Sequence, residues 1–381
     1  MKSYGIIAEF NPIHTGHKYL IDYAKRHGDK VIVAMSGNFV QRGALAIYKK
    51  YDRAKSALLC GADIVAEIPA VYSLSVAGNF ALCGVSTLYN LGADTIVFGS
   101  ETGDIKALQK TADILMSESF KKTLATLKDD NSTFAVKREK AAVICGADKQ
   151  TLKNPNDNLG IEYIIAAKTL GLDLSFEVVK RKGAKHTGTL SKGYASSNYL
   201  RELIYSGDIK TAKEYIPKEA EFLLLTPAAD LKCGERALLA LLREKTGEDF
   251  ALLPDLSEGI ENRLIKAIKT AKSIDELLEK VKTKRYTLAR IRRLVFNAAL
   301  GFDNSFFLKV PPYTRVLGSR KGVKIESRLY PLLSKVGDIN NLGEDAKKLF
   351  DFECKAADIY GLFFEDALPS GSELEAKYIK I

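Results

Sequence analysis

The chain has 381 residues, 46% of them hydrophobic and 27% charged, with a formal net charge of +10. This is an ordinary globular composition with apolar material for a large core and two domains. No apolar run approaches the ~18 uncharged residues that a membrane span needs, and the first strand-like segment carries Glu9 and no basic, cleavable leader, so a cytoplasmic protein is expected.

In chain order, short β-branched runs come first: "YGIIAE" (4–9), "VIVAM" (31–35), "DIVAEI" (63–68), "TIVFG" (95–99) and "LSFEVV" (174–179). Strands this apolar, separated by helix-length spacers, predict a parallel sheet covered on both faces. "CGAD" (60–63) and "LGAD" (91–94) place a glycine where a helix would end and an Asp just before the next strand, and a second "CGAD" (145–148) leads into a loop. Past residue 205 the strand pattern fades and helical periodicity takes over, as in Ile260, Leu264, Ile265 and Ile268 on one face. "SIDE" (273–276) has the form of a capping box. The expected architecture is an α/β, doubly wound parallel-sheet domain over 1–205 followed by a mainly α-helical domain over 206–381. Five cysteines, Cys60, Cys83, Cys145, Cys233 and Cys354, are far apart and lack any CxxC spacing, which argues against a disulfide framework or a zinc site and predicts buried thiols.

"EFNPIHTGHKYL" (9–20) sets two histidines three positions apart around a glycine, directly after the first strand. If that strand is central, the loop leaves its carboxyl end, where ligands of open α/β sheets bind. A helix beginning near Gly16 would offer unpaired N–H groups and partial positive charge to a phosphate. His14 and His17 could donate to the same phosphate as charge builds in a displacement, and Gly16 allows close backbone approach. A surface loop would also accommodate two histidines. A metal pair fits the spacing, but no acidic or cysteine ligand stands at a helpful offset.

"AEFNPIHTGHKYL", "SGNFVQRG", "KYDRAKSALLCGADIVAEIP", "FGSE", "NPNDNLGIEY", "KR" (180–181) and "YTRVLG" follow one another in order along nearly the whole chain. HTGH resembles the HxGH signature of class I nucleotidyltransferases, and the ordered set resembles the tRNA(Met) cytidine acetate ligase family. That resemblance implies a Rossmann-like nucleotidyltransferase fold and an enzyme that activates acetate with ATP, Mg²⁺ accompanying the nucleotide. Acetyl-adenylate and pyrophosphate would form, and the acetyl group would pass to N4 of the wobble cytidine of elongator tRNA(Met).

Carried over residue by residue, the resemblance makes His14, Gly16 and His17 the catalytic group at the triphosphate. Ile7, Ala8, Glu9, Phe10, Asn11, Pro12 and Leu20 would wrap the nucleotide with them. "SGNFVQRG" puts Ser36, Asn38, Gln41 and Arg42 on a second carboxyl-end loop, which locally reads as a polar turn; the family continues with Glu-Pro where this chain has Ala44 and Leu45. Gly99 would let a base or ribose lie against the backbone. Asn156 matches the family's nucleotide-binding asparagine, while Asn156 or Asp157 could equally cap a helix. Arg181 and Lys182 would reach the triphosphate. Ser196, Ser197 and Arg201 match the second superfamily motif, with Asn198 where a threonine is usual; the same residues also suit a Ser-capped helix. His186, in the same basic loop, receives no role.

Residues 282–324 hold eleven basic residues and one acid, Asp303, the electrostatic footprint of a phosphate-backbone partner. "TKRYTLARIRRLVFNAAL" predicts a helix with Lys284, Arg285, Arg292 and Arg293 outside. These, with Arg315, Arg320 and Lys321, are the candidate tRNA contacts, although a charged helix face is often only solvated. Tyr286 or Tyr313 could stack on a base, or sit at the edge of the core. Two other readings remain: an HxGH nucleotidyltransferase acting on a phosphorylated small molecule, and a non-catalytic RNA-binding protein on the same fold.

Overall fold

The computed structural model describes residues 2–127, 134–181, 195–256, 259–306 and 308–381. Ten strands are present among them: β1 (Ser3–Ala8), β2 (Lys30–Ser36), β3 (Phe39–Val40), β4 (Ala44–Leu45), β5 (Ile64–Ile68), β6 (Thr95–Ser100), β7 (Ser175–Lys180), β8 (Thr314–Ser319), β9 (Leu332–Leu333) and β10 (Ile379–Lys380). The main sheet runs β10-β8-β5-β2-β1-β6-β7, with β9 on β8. β5, β2, β1, β6 and β7 pair in parallel, so the five runs read from sequence are the five strands expected. β1 sits centrally because the chain fills one side with β2 and β5 and then crosses to β6, which opens a crevice at the carboxyl ends beside β1.

Side chains alternate across the strands into two cores. Ile7, Ile32, Ile64 and Phe98 join the helices Ala77–Asn90 and Pro155–Leu170 on one face. Tyr4, Ile6, Val33, Val65 and Val97 join Thr15–His27 and Lys50–Leu59 on the other. This two-sided burial is why the strands read as continuous apolar runs. The three GAD turns each place glycine in the left-handed region, at Gly61, Gly92 and Gly146. Asp63 and Asp94 then hand their N–H groups to Val31 and Ser3 at the strand starts.

Beyond Tyr205 the chain is helical to Leu300, with Leu231–Arg243, Ile260–Thr270, Ile274–Val281 and Leu288–Leu300 as its main helices. The capping box is only half formed: Ser273 Oγ accepts from Glu276 N–H at 3.1 Å, but the Glu276 carboxylate reaches Lys272 N–H at 2.7 Å. The chain then returns to the sheet. β8 runs antiparallel to β5 and β10 lies along β8, strands that the helical reading of this half did not anticipate. The apolar core is continuous from Ile7 to Phe364, so both halves pack around one sheet.

A buried ionic cluster fastens that return. Lys50 Nζ lies 2.7 Å from Glu67 and 2.8 Å from Glu373, and Arg315 Nη2 lies 2.8 Å from Glu373. Glu353, on the helix Glu344–Gly361, accepts the N–H of Ala70 at 2.7 Å beside them. Three carboxyls face two cations, and burial together with the Glu67 charge pushes the Glu353 carboxyl up to about 8. Of the five cysteines, Cys60 and Cys83 are buried as expected, Cys145 and Cys354 are half-buried, and Cys233 is exposed on the outer face of its helix; all five are free thiols.

Candidate active site

The loop that leaves β1 is shaped by its own backbone and by side chains from behind. Phe10 stands at φ 45°, a left-handed position that a bulky residue adopts only when its surroundings impose it. Asn11 supplies the restraint. Its amide donates to Leu45 O at 3.1 Å and accepts from Ile47 N–H at 2.7 Å, tying the loop to the β3–β4 hairpin. Arg53, fully buried, donates to Glu9 O at 2.6 Å and to Ser36 O at 3.0 Å, and so joins the ends of β1 and β2.

His14 caps the helix Thr15–His27. Its Nδ1 accepts from Gly16 N–H at 3.1 Å and from His17 N–H at 3.3 Å, while His17 Nδ1 accepts from His14 N–H at 3.3 Å. The rings stack with centroids 3.7 Å apart. An imidazole that accepts through Nδ1 carries its proton on Nε2, so both rings present an Nε2–H donor. Burial, with Arg181 nearby, lowers the pKa of His14 to about 3; burial and the His14 ring hold His17 well below its usual value. Both imidazoles are therefore neutral at physiological pH. The free N–H groups expected at this helix start are engaged: Thr15 N–H donates to Tyr215 O at 2.9 Å, and Gly16 and His17 N–H go to the capping ring. Among the described residues, the donors that this helix start leaves for an anion are the imidazoles.

These residues open onto a cavity of about 370 Å³ at the carboxyl ends of β1, β6 and β7. Across from the histidines, Asp157 is buried at the start of the helix Pro155–Leu170. It accepts from Ser100 Oγ, from Glu101 N–H at 3.1 Å, from Thr102 N–H at 3.2 Å and from Asn154 Nδ2 at 2.8 Å. The sequence suggested Asn156 or Asp157 as the helix cap, but the cap position is Asn154, Pro155 begins the helix, and Asp157 clamps the loop after β6 instead. Gly99, before the clamped loop, and Asn156, beside Asp157, both line the cavity. A Cβ on Gly99 would stand 3.3 Å from Arg181 Cγ, so the glycine leaves room for that side chain at the end of β7.

Of the residues singled out from sequence, Ile7, Ala8, Glu9, Phe10, Asn11, His14, Gly16, His17, Leu20, Gln41, Arg42, Gly99, Asn156, Arg181, Ser196 and Ser197 line this one cavity. Pro12 is buried behind the loop and Ser36 beneath it, so neither faces the cavity. Asn38 opens onto a separate pocket beside Lys50 and Glu373. Arg201 supports from behind, donating to Asn11 O at 2.6 Å and bonding Asn198, while Ser196 Oγ caps the helix Ser197–Tyr205. Lys182 and His186 lie outside the described residues. Sequence reasoning missed the apolar end of the cavity, made by Phe80, Phe98, Leu159 and Tyr163, and also Lys180. Phe98 and Tyr163 meet edge to face at 5.6 Å over Gly160, whose bare Cα makes space for the Phe98 ring.

The basic residues divide. Lys284 and Arg285 are exposed just before the helix Leu288–Leu300, which begins later than the sequence suggested, and Arg292 is half-buried on its first turns. Arg293 is buried and paired with Asp255 at 3.1 Å, so it is not on the outer face where the periodicity had placed it. Arg315 is likewise buried, its charge engaged by Glu373, with Tyr51 at 2.9 Å; it is a core residue, not an exposed phosphate contact. Arg320 and Lys321 are exposed, but Arg320 N–H bonds Asp63 O, at the amino end of β5 and the far end of the sheet from the cavity. Tyr286 and Tyr313 are buried. The Leu288–Leu300 helix does reach the cavity rim: a Cβ on Gly43, in the β3–β4 turn, would stand 2.6 Å from Arg293 N. Among the described residues no group of three or more His, Cys, Asp or Glu could hold a metal ion, and no helix is long and apolar enough to cross a membrane.

A family model described as HIGH nucleotidyl transferase matches residues 1–373. The tRNA(Met) cytidine acetate ligase of Caldanaerobacter subterraneus subsp. tengcongensis is 36% identical over 392 aligned positions, covering 96% of each chain. The chain belongs to the tRNA(Met) cytidine acetate ligase family. The Kosmotoga olearia relative of the same name is 34% identical with full coverage of both chains. Among solved structures, Thermotoga maritima TmcAL bound with alpha-thio ATP superposes with a TM-score of 0.89 at 27% identity, and its apo form with 0.90, each covering both chains completely. The likeness to Thermotoga maritima TmcAL thus extends over the helical half and the returning strands as well as the parallel-sheet half.

Proposed function

We propose that this chain is a ligase that condenses acetate with ATP to acetyl-adenylate and transfers the acetyl group to N4 of the wobble cytidine of elongator tRNA(Met). The observation that carries the reading is the pair of stacked imidazoles, each accepting backbone N–H through Nδ1 and so keeping Nε2–H to donate, on a cavity with a cationic end and an apolar end, in a chain similar over its whole length to ligases of that name.

The cationic end, with Lys180, Arg181, Ser196 and Ser197, suits a triphosphate. Gly99 and Asn156 suit the adenosine, with the Asn156 amide oriented by Glu101. Acetate attacks the α-phosphorus in line and pyrophosphate leaves; as charge grows on the phosphoryl oxygens, His14 and His17 donate to it without carrying charge themselves. Mg²⁺ accompanies the triphosphate. Adenylation makes AMP the leaving group that acetate lacks, and the amine of the cytidine then attacks the acetyl carbon directly, with no enzyme nucleophile. Residues 1–205 perform this chemistry and 206–381 present the tRNA, Lys284, Arg285 and Arg292 meeting backbone phosphates near the β3–β4 rim. ATP and an elongator tRNA as substrates put the work in the cytoplasm.

The test is incorporation of radiolabelled acetate into a tRNA pool from a host lacking cytidine acetylation. Label confined to one cytidine of elongator tRNA(Met), and only with ATP, is the expected result. ATP binding with no label in tRNA would overturn the assignment.

A further inference from the structure

The proposed transfer leaves one proton without a destination. When the N4 lone pair forms the C–N bond to the acetyl carbon, the C–O bond to phosphate breaks and AMP departs with that electron pair. The nitrogen must then lose one of its two protons to become an amide.

The histidines cannot accept it. Each Nδ1 already accepts backbone N–H, and each Nε2 already carries hydrogen. The Tyr163 phenol stays protonated, since burial and the Glu9 charge raise its pKa. Lys180, Arg42 and Arg181 are cations, and the remaining polar groups of the lining are amides and hydroxyls. Among the described residues that line the cavity, Glu9 is the one acid.

We propose that Glu9 is a catalytic residue of the acetyl-transfer step, accepting an N4–H hydrogen bond from the cytosine and then the proton that the attacking amine sheds. The inference rests on the reading given under Proposed function. Glutamate is a suitable acceptor for the cytosine exocyclic amine. Among the described residues, Glu9 Oε1 takes a single backbone donor, Gln41 N–H at 3.0 Å, which leaves lone pairs for a ligand. Its backbone carbonyl is anchored by Arg53, so the carboxylate is held in place.

Position supports the same role. The strand order puts β6 and β7, with Gly99 and Arg181, on one side of β1, and β2 with the β3–β4 hairpin on the other. Glu9 bonds the hairpin side, where Gln41 and Arg42 line the cavity and the basic helix meets Gly43. A nucleotide on the β6–β7 side and a cytidine arriving from the helical side would meet at the β1 loop. The groups facing Glu9 are Arg42, Arg201, Arg53 and Tyr163. Burial raises its pKa and outweighs the three guanidiniums, which moves the group toward the range where a general base works near neutral pH.

The two half-reactions separate this role from a structural one. Acetate-dependent ATP–pyrophosphate exchange, run without tRNA, needs no proton acceptor for an amine. Single-turnover transfer of labelled acetyl to elongator tRNA(Met) does. In the full-length Glu9→Gln variant, transfer is expected to fall at least about 100-fold further than exchange. The wild-type transfer rate should rise with pH through one ionisation that the variant lacks, and Glu9→Asp should restore part of it. Equal losses in both half-reactions, or a variant transfer rate within about threefold of wild type, would overturn the proposal. A wild-type chain that exchanges pyrophosphate with acetate yet labels no tRNA would overturn the tRNA reading as well, before any variant is compared.

Discussion

His14 caps a helix through Nδ1 and faces the cavity through Nε2, so replacing it with alanine is expected to act twice. His14→Ala should slow acetate-dependent pyrophosphate exchange by about 100- to 1,000-fold, the usual loss for one preorganised donor to developing charge. It should also lower stability by about 1 kcal/mol through the lost cap, read as a denaturant midpoint. His17→Ala removes a comparable donor and only the one cap bond that its Nδ1 accepts from His14 N–H, against the two that His14 accepts, so exchange should fall similarly with a smaller stability change. Equal stability losses would contradict the capping geometry. The residue pattern HTGH was legible in the sequence because its spacing and its place after the first strand are local facts. The tautomers were not, since they depend on which backbone N–H each Nδ1 meets. Nor was the role of Asp157, whose partners Ser100, Glu101 and Thr102 are more than fifty residues away.

At the scale of elements, the five parallel strands were readable because burial on both faces leaves continuous apolar runs. β8 and β10 escaped notice: "TRVLGS" starts with two polar residues, and β10 is two residues long. Arg315 in that strand looks like part of a basic surface until Glu67 and Glu373 are brought against it by the fold. The elements meeting at this cluster carry a pH dependence. The Glu353 pKa is raised from 4.5 to about 8 by burial and by Glu67, so the folded state keeps a proton that the unfolded state gives up. Stability from this group is full below its unfolded pKa and is lost as pH rises through the window up to about 8. Its contribution to the slope is at most about 1.4 kcal/mol per pH unit. Glu353→Gln fixes the neutral form, so urea midpoints measured from acid to mildly alkaline pH should decline less steeply in the variant. An unchanged slope would show that the proton resides elsewhere in the cluster.

Across the whole molecule, charge concentrated in 282–324 suggested one RNA-facing surface, and the fold distributes it among three places. Arg293 and Arg315 are internal, Arg320 and Lys321 lie at the far end of the sheet, and Lys284, Arg285 and Arg292 lie just before and on the first turns of the helix Leu288–Leu300, where Arg292 meets Gly43. Charge counting along a sequence cannot separate these, because solvent exposure is settled by tertiary packing. The distribution predicts opposite phenotypes. Lys284→Ala with Arg285→Ala should weaken tRNA binding, reduce its salt dependence by about one to two units of log–log slope, and leave the melting temperature nearly unchanged. Arg315→Ala should instead destabilise the fold by about 3–5 kcal/mol, as expected when one partner of a buried pair is removed. If Arg315→Ala stayed fully folded and lost tRNA binding, the placement of β8 would be wrong.

Under the proposed function, one cavity built around the β1 loop activates acetate with ATP. The most direct measurement is exchange of labelled pyrophosphate into ATP by the wild-type chain without tRNA, with and without acetate. Exchange that requires acetate and falls by about 100-fold or more in His17→Ala is the predicted result. Exchange that ignores acetate and responds instead to a phosphorylated small molecule would contradict the account and make the chain a nucleotidyltransferase of another substrate.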